Sequence, residues 1–135
     1  MKKSIYNILK ECSEEPTPKQ RVESLRRTPP VVKQILKYAF DPAIVFDLPE
    51  GDPPYKPCEF LDQEGRLYTE VRKLYLFVKG GNPSLTNIRR ETLFIQFLEG
   101  IDKEDATLIL SVKDKKLPFK NLNKKVIKEA FPDIF

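Results

Sequence analysis

The chain has 135 residues, and its 24 lysines and arginines against 20 aspartates and glutamates give a net charge of +4. The length suits one domain, and a composition that is 40% hydrophobic and 33% charged is typical of a soluble globular protein. No apolar run reaches the about 18 residues of a membrane span, no signal peptide is evident, and two cysteines are too few for a disulfide scaffold. We therefore expect a single cytoplasmic domain, residues 1–135, with reduced thiols and no membrane partner.

The sequence contains no histidine, which removes the usual general base, the commonest metal ligand and every Ser-His or Cys-His nucleophile pair. The glycine pair at residues 80–81 is followed by Asn-Pro, and not by the Lys-Ser/Thr pair of a phosphate-binding loop. We expect no enzymatic activity, no catalytic residue, no metal site and no cofactor.

Residues 1–40 predict three short helices. An apolar stripe at helical spacing, from Ile5 to Cys12, indicates the first. Residues 17–20 (Thr-Pro-Lys-Gln) combine an N-cap, a proline at the first helical position and a glutamine three residues on, which is a capping-box start for the second. Residues 28–30 (Thr-Pro-Pro) repeat the cap and the proline and predict a third helix, whose apolar stripe runs from Val31 to Ala39.

Residues 41–66 have a different character. Five prolines forbid long helices and most sheet pairing, and seven acids against two bases give the segment a charge of −5. Its aliphatic and aromatic side chains favour burial, so we predict an ordered, irregular connector that wraps the helices. The expected anchors of this connector are Ile44, Phe46, Leu48, Tyr55 and Phe60.

Helical spacing resumes in residues 67–135. A stripe from Leu67 to Val78 predicts one helix, and Thr86 can cap a second that ends at Glu99. Because this second helix is apolar on nearly all sides, we predict that it is the central and most buried one.

Two further helices are predicted after Gly100. Asp102 caps the first, with Glu104 and Asp105 complementing the helix dipole in its first turn. Asn121 or Asn123 caps the last helix. The predicted class is therefore all-α, a compact bundle of about six or seven short helices with a proline-rich connector.

The strongest functional signal is residues 113–128, which we call the lysine segment. It holds seven lysines and one acid, so it carries +6 while the other 119 residues sum to −2. A local positive field attracts polyanions, most commonly nucleic acid, whereas a solvated helix end is the alternative interpretation. The candidate nucleic-acid-binding residues are Lys113, Lys115, Lys116, Lys120, Lys124, Lys125 and Lys128.

The lysine segment lies on a predicted helix–loop–helix corner. Lys124, Lys125 and Lys128 fall off the apolar stripe of the last helix, so we expect them to face solvent, and helix N-terminal N–H groups suit phosphate oxygens. Repulsion among the lysines costs stability, which favours phosphate contact over a purely structural role. No base-reading helix is evident, so binding should not depend on sequence. Weaker candidates, equally well explained as exposed residues that balance acids, are Arg21, Arg26, Arg27, Arg89 and Arg90.

Both ends of the chain resemble ATP-dependent DNA ligases, especially the small phage enzymes. The similar positions at the start are Ile5, Ile8, Leu9, Thr17, Lys19, Gln20, residues 31–38, residues 40–42 (Phe-Asp-Pro) and Phe46. Those at the close are the apolar helix 93–98, the acid-capped helix 102–112, the lysine corner and residues 130–134 (Ala-Phe-Pro-Asp-Ile). The resemblance implies the all-helical N-terminal domain of these ligases, which grips duplex DNA around a nick.

Two features depart from the ligase pattern. The nucleotide-accepting Lys-x-Asp-Gly motif is missing, since its nearest string, residues 103–106 (Lys-Glu-Asp-Ala), lacks the glycine. No glycine follows Gly100, whereas ligases tend to have a glycine-containing turn at the lysine corner. The resemblance therefore implies a non-catalytic, phage-type module that contacts double-stranded or nicked DNA.

The alternative is a protein-interaction adaptor that keeps the fold without the DNA role. The acidic connector, at −5, beside the lysine segment, at +6, makes a dipolar surface that suits a protein partner. Such a partner would be a host or phage protein, for example a polymerase or replication factor.

Overall fold

The computed structural model describes residues 3–49, 51–58 and 65–134, and within these ranges the chain is all-α as predicted. The α-helices are α1 (Ile5–Ser13), α2 (Pro18–Arg26), α3 (Pro30–Phe40), α4 (Arg66–Glu70), α5 (Asn87–Glu99), α6 (Lys103–Lys113) and α7 (Lys124–Ala130). A 3₁₀-helix (Val71–Phe77) follows α4 directly. The helix predicted over residues 67–78 is thus α4 plus the 3₁₀-helix, and the expected anchor Phe60 lies outside the described residues.

Most helices begin at the predicted caps. The Thr17 hydroxyl accepts from the Gln20 N–H at 3.2 Å, as the capping box requires, and Thr86 and Asp102 cap α5 and α6. Of the two candidates for α7, Asn123 is the cap. The prediction of a Thr28 cap for α3 is wrong. Its hydroxyl donates to the Leu25 carbonyl at 2.6 Å, so it closes the end of α2 instead.

The centre of the bundle is α6, which packs against α1, α3 and α5. Its core-facing positions are Ala106, Leu108, Ile109, Leu110 and Val112. The prediction that α5 is the most buried helix is wrong. Only one side of α5 packs inward, through Phe94, Phe97 and Leu98, while Ile88 in its first turn is 79% exposed.

Three of the predicted anchors hold the connector on the bundle, while Ile44 is half-buried and is not among the described side chains packed against the core. Phe46 is buried, and Leu48 and Tyr55 pack against the core. Backbone bonds of 2.8 Å join the Asp47 N–H to the Phe77 carbonyl and the Lys79 N–H to the Val45 carbonyl, so the connector pairs with the end of the 3₁₀-helix.

A close backbone approach fixes the turn after the 3₁₀-helix. A Cβ added to Gly81 would collide with the carbonyl oxygen of Tyr75. Only glycine therefore fits at residue 81 without a backbone shift.

The last helix closes the bundle by packing on α2. Arg26 donates to the Glu129 carbonyl at 2.8 Å, and Lys37 donates to the Ile134 carbonyl at 3.0 Å. Lys33 forms an ion pair with Asp133 at 2.9 Å. Residues from α2 and α3 thus hold the end of the chain. In the part of the chain that the structure describes, no helix has the length and hydropathy of a membrane span.

Candidate nucleic-acid interface

The lysine segment begins in a tight turn at the end of α6. The Lys115 N–H donates to the Val112 carbonyl and the Lys116 N–H to the Ser111 carbonyl, both at 2.9 Å, which is the bonding pattern of a Schellman motif. Lys115 occupies the left-handed position of this motif, with φ 61°. Glycine is the usual residue there, because a side chain costs about 1–2 kcal/mol in this conformation.

The Lys115 side chain makes contacts within the protein that glycine could not make. Its Nζ donates to the carbonyl oxygens of Tyr38 at 2.7 Å, Asp41 at 2.8 Å and Ile44 at 2.8 Å. These carbonyls lie at the C-terminal end of α3 and in the turn that follows, where a cation is favoured and backbone acceptors lack helical partners. Burial lowers the pKa of Lys115, and the nearby Asp41 opposes that shift.

Lys113 is also engaged within the protein. The residue is only 6% exposed, and its Nζ donates to the Pro49 carbonyl at 3.1 Å and to the Asp114 carboxylate at 2.8 Å. The prediction that Lys113 and Lys115 are available to a ligand is therefore wrong. Backbone carbonyls of the connector accept hydrogen bonds from both side chains. We call Lys113 and Lys115 the staple lysines.

The remaining lysines of the segment face solvent. Contacts with the core and with α1 hold the loop between α6 and α7 in place. Leu122 is buried, the Phe119 ring lies 5.1 Å from that of Tyr6, and Asn121 donates to the Ser13 carbonyl at 3.0 Å. The exposed lysines, as we call them, are Lys116, Lys120, Lys124, Lys125 and Lys128.

The surroundings of the exposed lysines are open. Lys124, Lys125 and Lys128 border a shallow groove along α7 together with Glu129. Lys116 lies at the rim of a cavity beneath Phe46 and Leu48. The helix α7 has only seven residues, and Asn123 already accepts from the Val126 N–H at 3.0 Å. The positive electrostatic potential of this surface therefore comes from the lysine side chains more than from the helix N-terminus.

The weaker arginine candidates divide in the same way. Arg90 is 5% exposed and donates to the Leu76 and Leu85 carbonyls, so the prediction of a phosphate contact there is wrong. Arg21 donates to the Glu15 carbonyl at 2.9 Å, and Arg26 caps the end of α7. Of the five candidates, Arg27 and Arg89 are exposed, with no such structural role among the described residues.

Asp105, which the sequence assigned to the dipole of its own helix, lies in the core instead. It is fully buried, its Oδ1 accepts from the Tyr6 N–H at 2.8 Å, and its Oδ2 has no hydrogen-bond partner among the described residues. Burial raises the pKa of Asp105 to about 7. The carboxyl therefore serves the first turn of α1, not that of its own helix. Its spacing with Ile109 and Val112 on the buried face of α6 is the signal that could have revealed it.

The described residues offer no alternative chemistry of a familiar kind. Cys12 and Cys58 are free thiols, and burial raises the pKa of Cys12. Across residues 3–49, 51–58 and 65–134, no three acidic, histidine or cysteine side chains are grouped so as to hold a metal ion.

Comparison with known proteins gives a family but no described relative. Neither the curated proteins nor the solved structures contain a match to this chain, so the resemblance to DNA ligases stays a prediction. A family model matches residues 8–119, well over half of the chain, and the protein therefore belongs to a family of unknown function, DUF6433.

Proposed function

We propose that this protein is a non-catalytic module that binds the backbone of double-stranded or nicked DNA through the exposed lysines. The observation that carries the proposal is that these five lysines face solvent within one ordered corner. Phosphate contacts by lysine need a positive surface more than precise geometry, and they supply most of the affinity of sequence-independent DNA binding.

The partners of the connector acids support this proposal. Asp41 lies 3.5 Å from the Lys37 amine, and Asp47 lies 3.3 Å from the Arg90 guanidinium. These two carboxylates are therefore engaged by basic residues outside the lysine segment. The staple lysines are engaged by backbone carbonyls of the connector and by the Asp114 carboxylate, so the proposal uses the exposed lysines alone.

The family match ends at residue 119, before Lys120. The proposal for Lys120, Lys124, Lys125 and Lys128 is accordingly made for this chain and not for the family. The resemblance to the DNA-binding domain of phage-type ligases points to the same ligand, a duplex with a nick.

A fluorescence anisotropy titration with a labelled 20-base-pair duplex, intact or nicked, tests the proposal. If all five exposed lysines contact phosphates, the log–log slope of affinity against salt should be about −4.5, because each contact contributes about −0.9. Lys124→Glu with Lys128→Glu should lower affinity roughly 100-fold at low salt and reduce the slope to about −2.7.

The matched control carries Lys79→Glu with Lys103→Glu. Both residues are exposed and lie outside the lysine segment, and Lys103 begins α6 at the end opposite Lys113. Because each double variant replaces two lysines with two glutamates, the net charge changes equally in both. Equal losses in the two double variants would indicate a response to net charge alone and would contradict the proposal. A flat salt dependence would also contradict it.

The adaptor is the rival function. It predicts no measurable affinity for either duplex and a partner that co-purifies from a nuclease-treated lysate. A partner that disappears after nuclease treatment would instead favour DNA.

A further inference from the structure

A second basic surface lies on the other side of the segment that Lys115 holds. Between α3 and the 3₁₀-helix there is a cleft of about 330 Å³, which we call the tyrosine cleft. Its lining residues are Gln34, Lys37, Tyr38, Ile44, Val71, Arg72 and Tyr75. Its volume falls at the lower end of the range found for small-molecule sites.

The aromatic side chains of this cleft are unusual for a surface. Tyr75 is 48% exposed, and it is one of the few large apolar or aromatic residues that the described chain leaves open to solvent. Tyr38 is partly buried, and its ring lies 6.1 Å from that of Phe46. Aromatic faces that remain open beside cations are the feature with which proteins stack unpaired bases.

The rim of the cleft carries an arginine. Arg72 is exposed, with no ion pair or hydrogen bond to another described residue. Lys37 also lines the cleft, but its amine is engaged by the Ile134 carbonyl at 3.0 Å and by the Asp41 carboxylate at 3.5 Å. An arginine can bind phosphate with two parallel hydrogen bonds. Gln34 adds an amide, which can both donate to and accept from the edge of a base.

The cleft is built on a fixed frame. Lys115 binds the carbonyls of Tyr38 and Ile44, two of the lining residues, at 2.7 and 2.8 Å. On the opposite wall, the Tyr75 carbonyl accepts from the Val78 N–H at 3.4 Å at the end of the 3₁₀-helix. A rigid aromatic site lowers the entropy cost of binding.

We propose that the tyrosine cleft binds an unpaired nucleotide, with the base against Tyr75 and the phosphate on Arg72. The inference rests on the proposed function, since it takes nucleic acid as the ligand. It adds a specificity to that function: the exposed lysines contact duplex backbone, and the cleft takes a base from a gap, a flap or an overhang.

The test compares a blunt labelled duplex with the same duplex carrying a six-thymidine overhang. The wild-type protein should bind the overhang duplex about tenfold or more tightly, because stacking one base on an aromatic residue is worth roughly this factor or more. Tyr75→Ala should abolish the difference and leave blunt-duplex affinity within about twofold. Tyr75→Phe, which keeps the ring, should retain it, and Arg72→Gln should reduce it.

The exposed lysines give the matched control. Lys125→Gln should weaken binding to both duplexes equally, since it removes a backbone contact only. A thermal melt by circular dichroism should be unchanged in Tyr75→Ala, because the side chain is half exposed. A 5-iodouracil in the overhang that crosslinks to Tyr75 would identify the stacked base directly.

The outcomes separate this inference from the proposed function. Equal affinity for both duplexes, or an overhang preference unchanged by Tyr75→Ala, would overturn the inference and leave duplex binding intact. Tyr75-dependent binding of hexathymidine without any duplex binding would support the inference and overturn the proposed function. Equal competition by polyglutamate and hexathymidine for the cleft would also overturn the inference, because it would indicate a general anion or protein site.

Discussion

The two parts of the lysine segment are both rich in lysine and have different roles. In residues 113–115, Lys113 and Lys115 donate to backbone carbonyls of the connector and of α3, and they belong to the fold. In residues 116–128, every lysine is exposed. The difference lies in position along the chain: the first part forms the turn that ends α6 against the connector, and the second part lies beyond it. A count of lysines therefore overestimates the size of a binding surface where some of those lysines donate to the unpaired carbonyls at a nearby helix C-terminus.

The largest expected loss of stability comes from a substitution at Lys115. Lys115→Met should lower the free energy of unfolding by about 3–5 kcal/mol, because three carbonyls lose a charged donor at once. Urea denaturation measures this loss. DNA affinity per folded molecule should change by less than about threefold. A stable variant that loses affinity would invert the assignment of the two parts.

Asp105, a buried acidic residue of α6, extends the comparison from the lysines to a carboxyl group. The folded-state pKa of Asp105, about 7, lies above its ordinary 3.8. Between these pH values the folded chain holds a proton that the unfolded chain has lost, so the contribution of Asp105 to stability is fully present below pH 3.8 and is lost as the pH rises through 7.

Asp105→Asn should remove this dependence. Its stability relative to the wild type should rise by up to about 4 kcal/mol between pH 4 and pH 8, from roughly three pKa units at 1.36 kcal/mol each. Urea midpoints at the two pH values check this. An equal pH dependence in variant and wild type would place the carboxyl in solvent contact.

The next effect concerns Lys113. Lys113→Met should cost about 1–3 kcal/mol, less than the change at residue 115, because one carbonyl bond is lost and Asp114 stays partly solvated. Differential scanning calorimetry should give a melting temperature between those of the wild type and Lys115→Met. A cost equal to that of Lys115→Met would contradict the expectation that the number of carbonyls losing a donor sets the loss of stability.

The smallest effect on stability is expected one residue after Lys115. Lys116→Met makes the same substitution at an exposed neighbour and should change the free energy of unfolding by less than about 0.5 kcal/mol. DNA affinity should fall about three- to tenfold at low salt, as for one lost phosphate contact. If stability falls as at residue 115, the boundary between the two parts lies after Lys116.

The elements of the fold were readable from the sequence where their signals are local. The capping box at Thr17, the caps at Thr86 and Asp102 and the anchor Phe46 depend on residues within a few positions of one another or on simple hydrophobicity. The burial ranking of α5 and α6 was not readable, because it depends on how many neighbours a helix has and not on its own composition.

The roles of the basic residues were unreadable for a related reason. Lys115, Arg26 and Arg90 each donate to carbonyls near the end of a helix, and the first two reach partners more than 70 residues away in the chain. A lone lysine or arginine has the same sequence signature whether it faces solvent or a distant helix end. Only the positions of the exposed lysines on α7, off its apolar stripe, carried usable local information.

The packing of α7 on α2 has a consequence for synthesis. Arg26 and its partner Glu129 are separated by 103 residues, so α2, which also packs on α1, lacks its contact with α7 until the last helix leaves the ribosome. At ordinary translation rates this wait lasts roughly 5–20 s. The nascent chain must pass that interval with part of its core uncovered, a period in which chaperone binding or aggregation would compete with completion of the bundle.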